Sequence, residues 1–353
     1  MIPHSRPSIE ADEIRAAVEV LRSRQLAQGG MVEQFERGMA AYVGLAGGVA
    51  VSSGTAALEV ALHVLGIGPG DEVILPSYVC AAPLLAIQRV GAMPRVVDID
   101  LDTFAIDPTA VRQALTSRTK VVIVPHLFGL PADLTVLERL GVPIIEDCAQ
   151  TLGAMEQGRS VGSVGLLTVC SFYATKLLCT GEGGMVLSRD ESLLERARML
   201  REYDEAPSLR QAAANFKMTD LQAALGLAQL NRLGFFLERR SWLADEYRAT
   251  LNGARLVHPI VPDGRTHVYY RFVVRLQDLR DEVDGINRVI ARFENRGVQC
   301  RKPVFRSLHR YLGLDGFPAS EEAERTALSI PLFPSLTDED VAHMHGALRS
   351  EWS

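Results

Sequence analysis

The stretches IIEDCAQ (144–150) and SFYATKLLCTGEGGMV (171–186) decide the fold of this chain. Asp147 ends the apolar run of the first stretch, and Lys176 lies in the turn between two short apolar runs of the second. Apolar runs that are continuous rather than alternating in polarity are typical of strands covered on both faces. The two stretches therefore predict buried strands that carry reactive groups at their ends.

Similar runs recur to about residue 190 and alternate with helix-length stretches. The apolar runs are GVAVSS (48–53), EVILP (72–76), PRVVDID (94–100), KVVIVPH (120–126), PIIED (143–147), LLTVCSF (166–172) and GGMVL (183–187). The intervening stretches include TAALEVALHVLG (55–66), PTAVRQAL (108–115) and DLTVLERLG (133–141). Alternation of this kind predicts an α/β fold, with a mostly parallel sheet wrapped by helices.

Helical periodicity also covers residues 8–43, and a long helical pattern covers residues 219–251, with Thr219 or Asp220 as its N-cap. Beyond it the pattern changes to a mixture of strands and helices. The strands are YYRFVVRL (269–276) and VQCRKPV (298–304), and the helices are DGINRVIARFENRG (284–297) and TDEDVAHMHGALRSEW (337–352). We predict a large domain over residues 1–240, which includes the N-terminal helical segment, and a smaller α+β domain over residues 241–353.

The composition of the chain argues against some classes of function. The chain has 353 residues, 47% hydrophobic and 23% charged, with a net charge of -6. These values are ordinary for a globular enzyme and argue against binding to nucleic acid or to a membrane surface. No apolar run reaches eighteen residues, and the N-terminus lacks a hydrophobic signal core. We expect a cytoplasmic protein with no membrane span.

The cysteines and histidines do not predict a metal site. The five cysteines are scattered and form no CxxC pair, so reduced thiols are expected. His343 and His345 are two residues apart on a predicted helix and therefore point to different faces.

The run SSGTAALEVAL (52–62) has the features of a phosphate site. A strand ends, Gly54 permits a tight turn, and Thr55 opens a helix. Free N–H groups at a helix start bind phosphate well, and a threonine hydroxyl adds a donor. An ordinary helix capped by serine or threonine is the commoner interpretation of this motif taken alone.

Asp147 and Lys176 suit pyridoxal phosphate chemistry, which needs an amine to bond to the cofactor aldehyde and a carboxylate to keep the ring nitrogen protonated. Gln150 is a candidate to hold the ring or its phenolic oxygen. Ser171 offers a second hydroxyl for the phosphate. The alternative is that Glu146 and Asp147 only cap the segment that follows them.

With these motifs the chain resembles the DegT/DnrJ/EryC1/StrS family, the pyridoxal-phosphate-dependent sugar aminotransferases. The resemblance covers nearly the whole chain. It includes IPHSRPSIEADEI (2–14), VSSGTAAL (51–58), VPHLFGLPAD (124–133), NFKMTDLQAALGLAQL (215–230) and FENRGVQCRKPVFRSLHRYL (293–312), besides the two opening stretches. It implies pyridoxal 5'-phosphate as cofactor, a large domain of PLP fold type I, and a homodimer with active sites at the subunit interface.

Several site residues follow from the resemblance. Lys176 is similar to the lysine bonded to the cofactor, Asp147 to the partner of the pyridine nitrogen, and Gln150 to the residue beside the phenolic oxygen. Gly54, Thr55 and Ser171 match the phosphate binders, and Asn215 matches an asparagine that reaches the phosphate from the neighbouring subunit. Lys217 stands where the family often has an arginine that contacts substrate, and His309 matches a histidine of the sugar-side loop.

One position departs from the family. In PSYVCAAP (76–83), Cys80 stands where an aromatic residue usually stacks on the pyridine ring. A thiol offers less contact area than an aromatic ring. Tyr78 lies two residues away and would share the face of Cys80 if the backbone were extended.

The resemblance implies a ping-pong reaction in which an amino group passes from L-glutamate to a nucleotide-linked keto-sugar. Alternative acceptors are a cyclitol or a carbocyclic ketone. A sugar dehydratase is disfavoured, because that branch of the family replaces the lysine with histidine, and a regulatory protein is the least favoured alternative. A basic cluster suits either a diphosphate or carboxylate site or a solvated surface, and comprises Arg301, Lys302, Arg306, His309 and Arg310.

Overall fold

The computed structural model describes residues 1–202, 213–280, 282 and 284–352. In this part of the chain, seven strands form one central sheet: β1 (Gly47–Val51), β2 (Glu72–Pro76), β3 (Met93–Val97), β4 (Thr119–Pro125), β5 (Ile144–Asp147), β8 (Leu167–Ser171) and β9 (Gly184–Ser188). Two short strands, β6 (Met155–Glu156) and β7 (Arg159–Ser160), pair with each other outside it. All seven predicted runs of the large domain are confirmed as strands of the central sheet.

The strand order is β1-β9-β8-β5-β4-β2-β3, and β9 is the strand that runs against its neighbours. The pairs β2–β3, β2–β4, β4–β5 and β5–β8 are parallel. The sheet is therefore mostly parallel, as predicted. The carboxyl ends of β5 and β8, which carry Asp147 and Ser171, consequently lie at the same edge.

Helices cover both faces of this sheet. They are α1 (Ala11–Ser23), α2 (Gly30–Val43), α3 (Gly54–Val64), α4 (Ala82–Arg89), α5 (Pro108–Ala114), α6 (Leu134–Glu138), α7 (Glu191–Arg201) and α8 (Asp220–Thr250). In β1, Val49 and Val51 join the core beneath α3, α4 and α7, whereas Ala50 joins the core beneath α2 and α8. Both faces are thus buried, which explains why the strands read as continuous apolar runs.

The helix α8 begins where the sequence predicts. The Thr219 side chain accepts from the backbone N–H of Gln222, and the Gln222 side chain accepts from the backbone N–H of Thr219, which forms a capping box. The helix continues for 31 residues. Its first half packs on α2 through Leu233 and Phe236, and its second half enters a separate core through Leu243 and Tyr247.

That second core lies under the antiparallel pair β10 (Phe272–Arg275) and β11 (Ala327–Ile330). Two of the remaining α-helices, α9 (Gly285–Asn295) and α12 (Asp338–Trp352), contribute side chains to it, whereas α10 (Leu308–Leu312) and α11 (Pro318–Thr326) add Leu308 and Ala323 to the core beneath α3. The prediction of a strand over residues 298–304 is wrong, because Val298 and Arg301 make only single bridges, to Ile2 and Ser329. Pro303 lacks the N–H that a longer ladder would need.

No helix among the described residues is long and apolar enough to cross a membrane.

Candidate active site

A cavity of about 240 Å³ lies at the sheet edge where β5 and β8 end and α3 begins. Six of the residues singled out in the sequence line it: Gly54, Thr55, Cys80, Asp147, Ser171 and Lys176. They come from four separate segments of the chain, and the fold brings them together. Tyr173 and Glu182 also line the cavity and carried no signal in the sequence.

The start of α3 leaves hydrogen-bond donors free beside this cavity. The Ser53 hydroxyl caps the helix by accepting from the Ala56 N–H at 3.1 Å. Within the described part of the chain, the backbone N–H groups of Gly54 and Thr55 donate to no acceptor. The positive end of the helix and these two free donors make the position suitable for an anion.

The α3 start and the end of β8 approach each other closely. A Cβ atom on Gly54 would lie 2.7 Å from the Cβ of Ser171, so only glycine fits. The hydroxyls of Thr55 and Ser171 have no hydrogen-bond partner among the described residues. Two backbone N–H groups and two hydroxyls thus surround one small space, as a phosphate group requires.

Asp147 lies at the end of β5 with its Oδ1 accepting the Ala149 N–H at 3.0 Å. Burial raises the pKa of this carboxyl, and the Ala149 N–H, Lys176 and His126 only partly offset that effect. Its second oxygen remains available to a cation. If Asp147 only capped the segment that follows it, this role would account for one of its oxygens and not for the other.

In Glu146, by contrast, both carboxylate oxygens accept hydrogen bonds from the protein. Its two oxygens accept the backbone N–H groups of Gly162, Val164 and Gly165 at 2.7, 2.7 and 2.5 Å, and His126 Nε2 lies 3.1 Å away. Burial alone raises the pKa of Glu146, but these hydrogen bonds and His126 outweigh it and hold the pKa below its usual value. Glu146 thus anchors the loop of residues 162–165.

Lys176 lies in the turn after β8, where its backbone N–H donates to the Tyr173 carbonyl at 2.8 Å. Its Nζ is 5.3 Å from the ring centroid of Tyr270 and has no hydrogen-bond acceptor among the described residues. Lys176 lowers the pKa of the Asp147 carboxyl through its charge. The amine and the carboxylate therefore act on each other across one cavity.

Tyr270 is a neighbour of Lys176 that the sequence analysis missed. Its hydroxyl is 3.3 Å from Thr175 Oγ1, and its ring lies under both Lys176 and Arg271. Burial raises the pKa of the Tyr270 phenol, but the two cations outweigh burial and lower the pKa to about 8. The run YYRFVVRL reads only as a strand, so nothing local in the sequence signals this contact.

Gln150 does not line the cavity. Its Oε1 accepts the Phe128 N–H at 2.8 Å, which orients the amide. Its Nε2 has no partner in the described part of the chain and keeps its two donors.

Tyr78 does not take the place of the aromatic residue that Cys80 replaces. Cys80 lines the cavity and is exposed, whereas Tyr78 is fully buried and stacks on Phe104 with centroids 5.8 Å apart. Residues 77–79 form a bend rather than extended backbone, so residues 78 and 80 face different ways. The chain therefore supplies a thiol, and no aromatic ring from this segment, to the cavity wall.

Three further predicted residues lie outside the cavity of this chain. Asn215 is exposed and accepts the Lys217 N–H through its side chain at 3.3 Å, and Lys217 Nζ is 3.9 Å from Glu202. His309 is buried, with Nδ1 2.6 Å from Ser77 Oγ and its ring stacked on Phe317. Their roles stay predictions.

The residues that line the cavity fit pyridoxal 5'-phosphate. The glycine cradle at Gly54, the free N–H groups and the hydroxyls of Thr55 and Ser171 suit its phosphate. Asp147 and Lys176 supply the carboxylate and the amine that its ring nitrogen and aldehyde require.

Comparison with known proteins identifies the family of this chain. A model of the DegT/DnrJ/EryC1/StrS aminotransferase family matches residues 7–349. The spore coat polysaccharide biosynthesis protein SpsC of Bacillus subtilis is 35% identical over 375 residues, covering 99% of this chain and 96% of that protein. GDP-perosamine synthase of Caulobacter vibrioides is 33% identical over 362 residues, covering 97% of this chain and 96% of that protein.

Solved structures extend the agreement to three dimensions. Spr1654 from Streptococcus pneumoniae, in its PLP form, matches with a TM-score of 0.92 and 28% identity, covering 99% of this chain and 98% of that chain. These matches, by sequence and by fold, cover nearly the whole chain. The protein is a pyridoxal-phosphate-dependent enzyme of the DegT/DnrJ/EryC1/StrS aminotransferase family.

Proposed function

We propose that this enzyme transfers an amino group from L-glutamate to a nucleotide-linked keto-sugar by a ping-pong mechanism. The observation that carries the proposal is the convergence of Lys176, Asp147 and the free start of α3 on one cavity. The names of the relatives support the acceptor class, since one is a GDP-perosamine synthase and another serves the synthesis of a polysaccharide.

The predicted site residues would divide the chemistry among them. When bound, pyridoxal phosphate supplies a ring that withdraws electrons from the substrate carbon. Asp147 keeps the ring nitrogen protonated, and Gly54, Thr55 and Ser171 hold the phosphate through N–H and hydroxyl donors. We assign to Gln150 Nε2 the hydrogen bond to the phenolic oxygen, because Oε1 is already bonded to the Phe128 N–H.

Lys176 Nζ has two tasks in succession. It would hold the cofactor through its aldehyde, and as a free amine it would move the proton at the substrate carbon in each half of the reaction. The amine must be neutral to act as a base. A positioned base of this kind contributes about 10²–10⁴-fold to the rate.

We also propose a homodimer in which Asn215 and Lys217 serve the cavity of the partner subunit. In one chain, these two residues lie outside the cavity that Lys176 lines. A residue of one subunit that reaches the other site would show this placement. The expected result is a dimer by light scattering, with activity restored when an inactive Lys176→Ala chain is mixed with an inactive Asn215→Ala chain.

The role of Lys176 is tested by chemical trapping. The chain has four lysines, at positions 120, 176, 217 and 302. We expect borohydride reduction of the loaded enzyme to attach the cofactor to the peptide that contains Lys176, identified by mass spectrometry. Attachment to any of the other three lysines would refute the assignment. Lys120→Ala, at an exposed position, is the control and should react and turn over as the wild type does.

The acceptor is identified by a second experiment. The enzyme is loaded with the aminated cofactor and mixed with nucleotide-linked keto-sugars, free keto-sugars and cyclitol ketones. Recovery of the aldehyde spectrum with a nucleotide-linked keto-sugar supports the proposal. Recovery with cyclitol ketones alone would replace it with the alternative acceptor.

A further inference from the structure

The segment that leads into α4 contributes two small side chains to the candidate active site. Cys80 and Ala82 line the cavity, and we call these two residues the α4 side of the cavity. Cys80 is exposed and Ala82 is partly exposed, so both present free surface. The α4 side therefore offers a bound ring one thiol and one methyl group.

The cavity is small, which brings its lining close to anything bound inside. Its volume of about 240 Å³ is below the range of about 300–1,000 Å³ that is usual for small-molecule pockets. Asp147 and Lys176, which suit the ring nitrogen and the aldehyde, line the same space as Cys80. A ring held by these two groups therefore has Cys80 among its near neighbours.

The α4 side itself presents no aromatic face. Tyr78 is fully buried and stacks on Phe104 in the core. Among the described residues, Tyr173 is the aromatic residue that lines the cavity, and 47% of its surface is exposed. Its carbonyl accepts the Lys176 N–H at 2.8 Å, so Tyr173 belongs to the turn that carries the amine. Tyr173 is thus the alternative source of an aromatic contact.

The polar groups of the cavity suit the ends of the cofactor and not the face of its ring. The phosphate cradle offers N–H and hydroxyl donors from Gly54, Thr55 and Ser171, and no arginine among the described residues lines the cavity. Hydrogen bonds from neutral donors are weaker than those from a guanidinium. Contact with the ring face therefore matters more to retention here than it would beside an arginine.

Lys176 can hold the cofactor covalently in one form only. Its amine bonds to the aldehyde of pyridoxal phosphate, whereas pyridoxamine phosphate has an amine in place of the aldehyde and offers no carbonyl to attack. Retention of the aminated form thus depends on noncovalent contacts alone. Stacking on an aromatic side chain improves binding by about 10- to 100-fold, and a thiol with a methyl group offers less contact area.

We propose that the α4 side lets this enzyme release its cofactor in the aminated form, and that Cys80 sets the rate of this release. Free pyridoxal phosphate then takes its place and bonds to Lys176. This inference rests on the proposed function, because the aminated form arises when the amino donor gives up its amino group. The result is a further activity in which free pyridoxal phosphate is the amino acceptor.

This activity balances without any other reactant. L-Glutamate loses its amino group and is oxidised to 2-oxoglutarate, and the aldehyde carbon of pyridoxal phosphate is reduced and takes up that amino group. Lys176 Nζ carries the proton from the substrate carbon to the former aldehyde carbon. The water released as the aldehyde reacts is consumed as the 2-oxo acid leaves.

Release of pyridoxamine phosphate from the full-length enzyme tests the proposal. The enzyme is loaded with pyridoxamine phosphate, excess pyridoxal phosphate is added, and the pyridoxamine phosphate set free is separated by rapid filtration and measured by its fluorescence. We expect Cys80→Phe to slow the release by about 10- to 100-fold. Cys80→Ser removes the thiol without adding a ring and should release the ligand no more slowly than the wild type does.

Further variants separate the ring contact from other causes. Cys80→Tyr should slow the release as Cys80→Phe does, and thermal unfolding shows that each variant is folded. Tyr173→Ala should speed the release by less than about tenfold. Lys176→Ala loaded with pyridoxal phosphate should lose it as readily as the wild type loses pyridoxamine phosphate, because the covalent hold is gone.

Three results would overturn the proposal. The first is a wild-type enzyme that retains pyridoxamine phosphate as firmly as Cys80→Phe does. The second is slower release from Cys80→Ser, because an added ring would then not be the cause. The third is release from Tyr173→Ala that is faster by about tenfold or more, because Tyr173 would then cover the ring.

Repeated turnover without a keto-sugar is the second readout. With L-glutamate and excess pyridoxal phosphate, the wild type should form pyridoxamine phosphate well beyond the number of its sites, whereas Cys80→Phe should stop near that number. Formation that stops there in the wild type as well would overturn the further activity. Fast release with no formation at all would confirm release and refute L-glutamate as the donor, so the two failures are told apart.

Discussion

At the scale of single residues, the site contains ionisable groups whose charged form suits a bound ligand but does not stabilise the fold. Asp147 is the main example, because burial raises the pKa of its carboxyl despite the nearby Lys176. Folding therefore shifts this carboxyl toward its protonated form, whereas the proposed function needs the carboxylate beside a cationic ring. The charge that the proposed function needs at Asp147 therefore lowers the stability of the cofactor-free protein.

We predict that Asp147→Asn stabilises the cofactor-free protein and lowers activity by about 10²-fold or more. A carboxyl whose pKa is raised in the folded state stabilises the fold at low pH, and that contribution is lost as pH rises through the folded pKa. Asparagine resembles the protonated form at every pH. The gain in melting temperature should therefore appear near neutral pH and vanish below the ordinary pKa of aspartate. A gain that does not depend on pH would contradict this explanation.

Tyr270 gives a prediction that needs no cofactor. Its pKa is lowered to about 8, whereas burial raises the pKa of the adjacent Tyr269. Tyrosinate absorbance should show one of the eight tyrosines titrating near pH 8. Tyr270→Phe should remove that step, Tyr269→Phe should leave it, and Lys176→Ala should move it to higher pH. A step that survives in Tyr270→Phe would contradict the assignment.

Local sequence motifs identified those site residues that lie in a turn or at the start of a helix. Gly54 and Thr55 mark the end of a strand and the start of a helix, and Lys176 stands in a glycine-rich turn. Tyr270, which lies just before β10 in the sequence, reaches Lys176 from a distant part of the chain. Contacts of that kind leave no periodic or local mark in the sequence.

At the scale of secondary-structure elements, the start of α3 and the end of β8 form the phosphate cradle. Gly54→Ala should place a Cβ atom 2.7 Å from the Cβ of Ser171 and force the two elements apart. We expect it to cost about 1–3 kcal/mol of unfolding free energy and to weaken cofactor binding, measured by urea unfolding and spectral titration. Gly30→Ala, at the start of α2 with nothing within 4 Å, is the control and should preserve both. Equal effects of the two substitutions would contradict the cradle.

The loop anchored by Glu146 gives a prediction with the opposite pH dependence. The pKa of Glu146 is lowered in the folded state, so its contribution to stability is present above the ordinary pKa and lost as pH falls through the folded pKa. Glu146→Gln should cost about 3–5 kcal/mol near neutral pH, because the charge is lost and an amide NH2 would replace one of two oxygens that each accept hydrogen bonds from the protein. This deficit should shrink in acid. Denaturant unfolding over a pH series measures it, and a constant deficit would contradict the role of the charge.

Element types in the large domain follow from the sequence because strands buried on both faces leave continuous apolar runs. The wrong strand at residues 298–304 shows the limit of this reasoning. Val298 pairs with Ile2, and Arg301 pairs with Ser329. The two partners belong to different segments of the chain, so no ladder forms. Which segments meet is a tertiary property, and a short apolar run is compatible with either outcome.

At the scale of the whole molecule, α8 connects the two cores. Leu233 and Phe236 belong to one core, and Leu243 and Tyr247 belong to the other, so the predicted boundary at residue 240 falls inside a continuous helix. We propose that residues 1–240 and 241–353 are two domains that share this helix rather than two units joined by a linker.

Arg240 lies in the second half of that shared helix and is 3% exposed. Its Nη1 donates to the carbonyls of Tyr269, Tyr270 and Leu332 at 3.1, 3.1 and 3.0 Å. Burial lowers the pKa of its guanidinium to about 10, which still leaves it charged near neutral pH. The Arg240 guanidinium therefore holds the backbone just before β10 and just after β11.

We predict that Arg240→Met destabilises both domains together by about 3 kcal/mol, because three buried carbonyls lose a charged donor. Both tryptophans, Trp242 and Trp352, follow residue 240, so their fluorescence reports the smaller domain, whereas far-ultraviolet circular dichroism reports all helices. The two urea transitions should coincide in the wild type and shift together in the variant, since α8 belongs to both cores. Glu238→Met, at an exposed position of the same helix, should shift neither. A fluorescence transition that moves alone would mean that the smaller domain unfolds independently and that α8 does not couple the two.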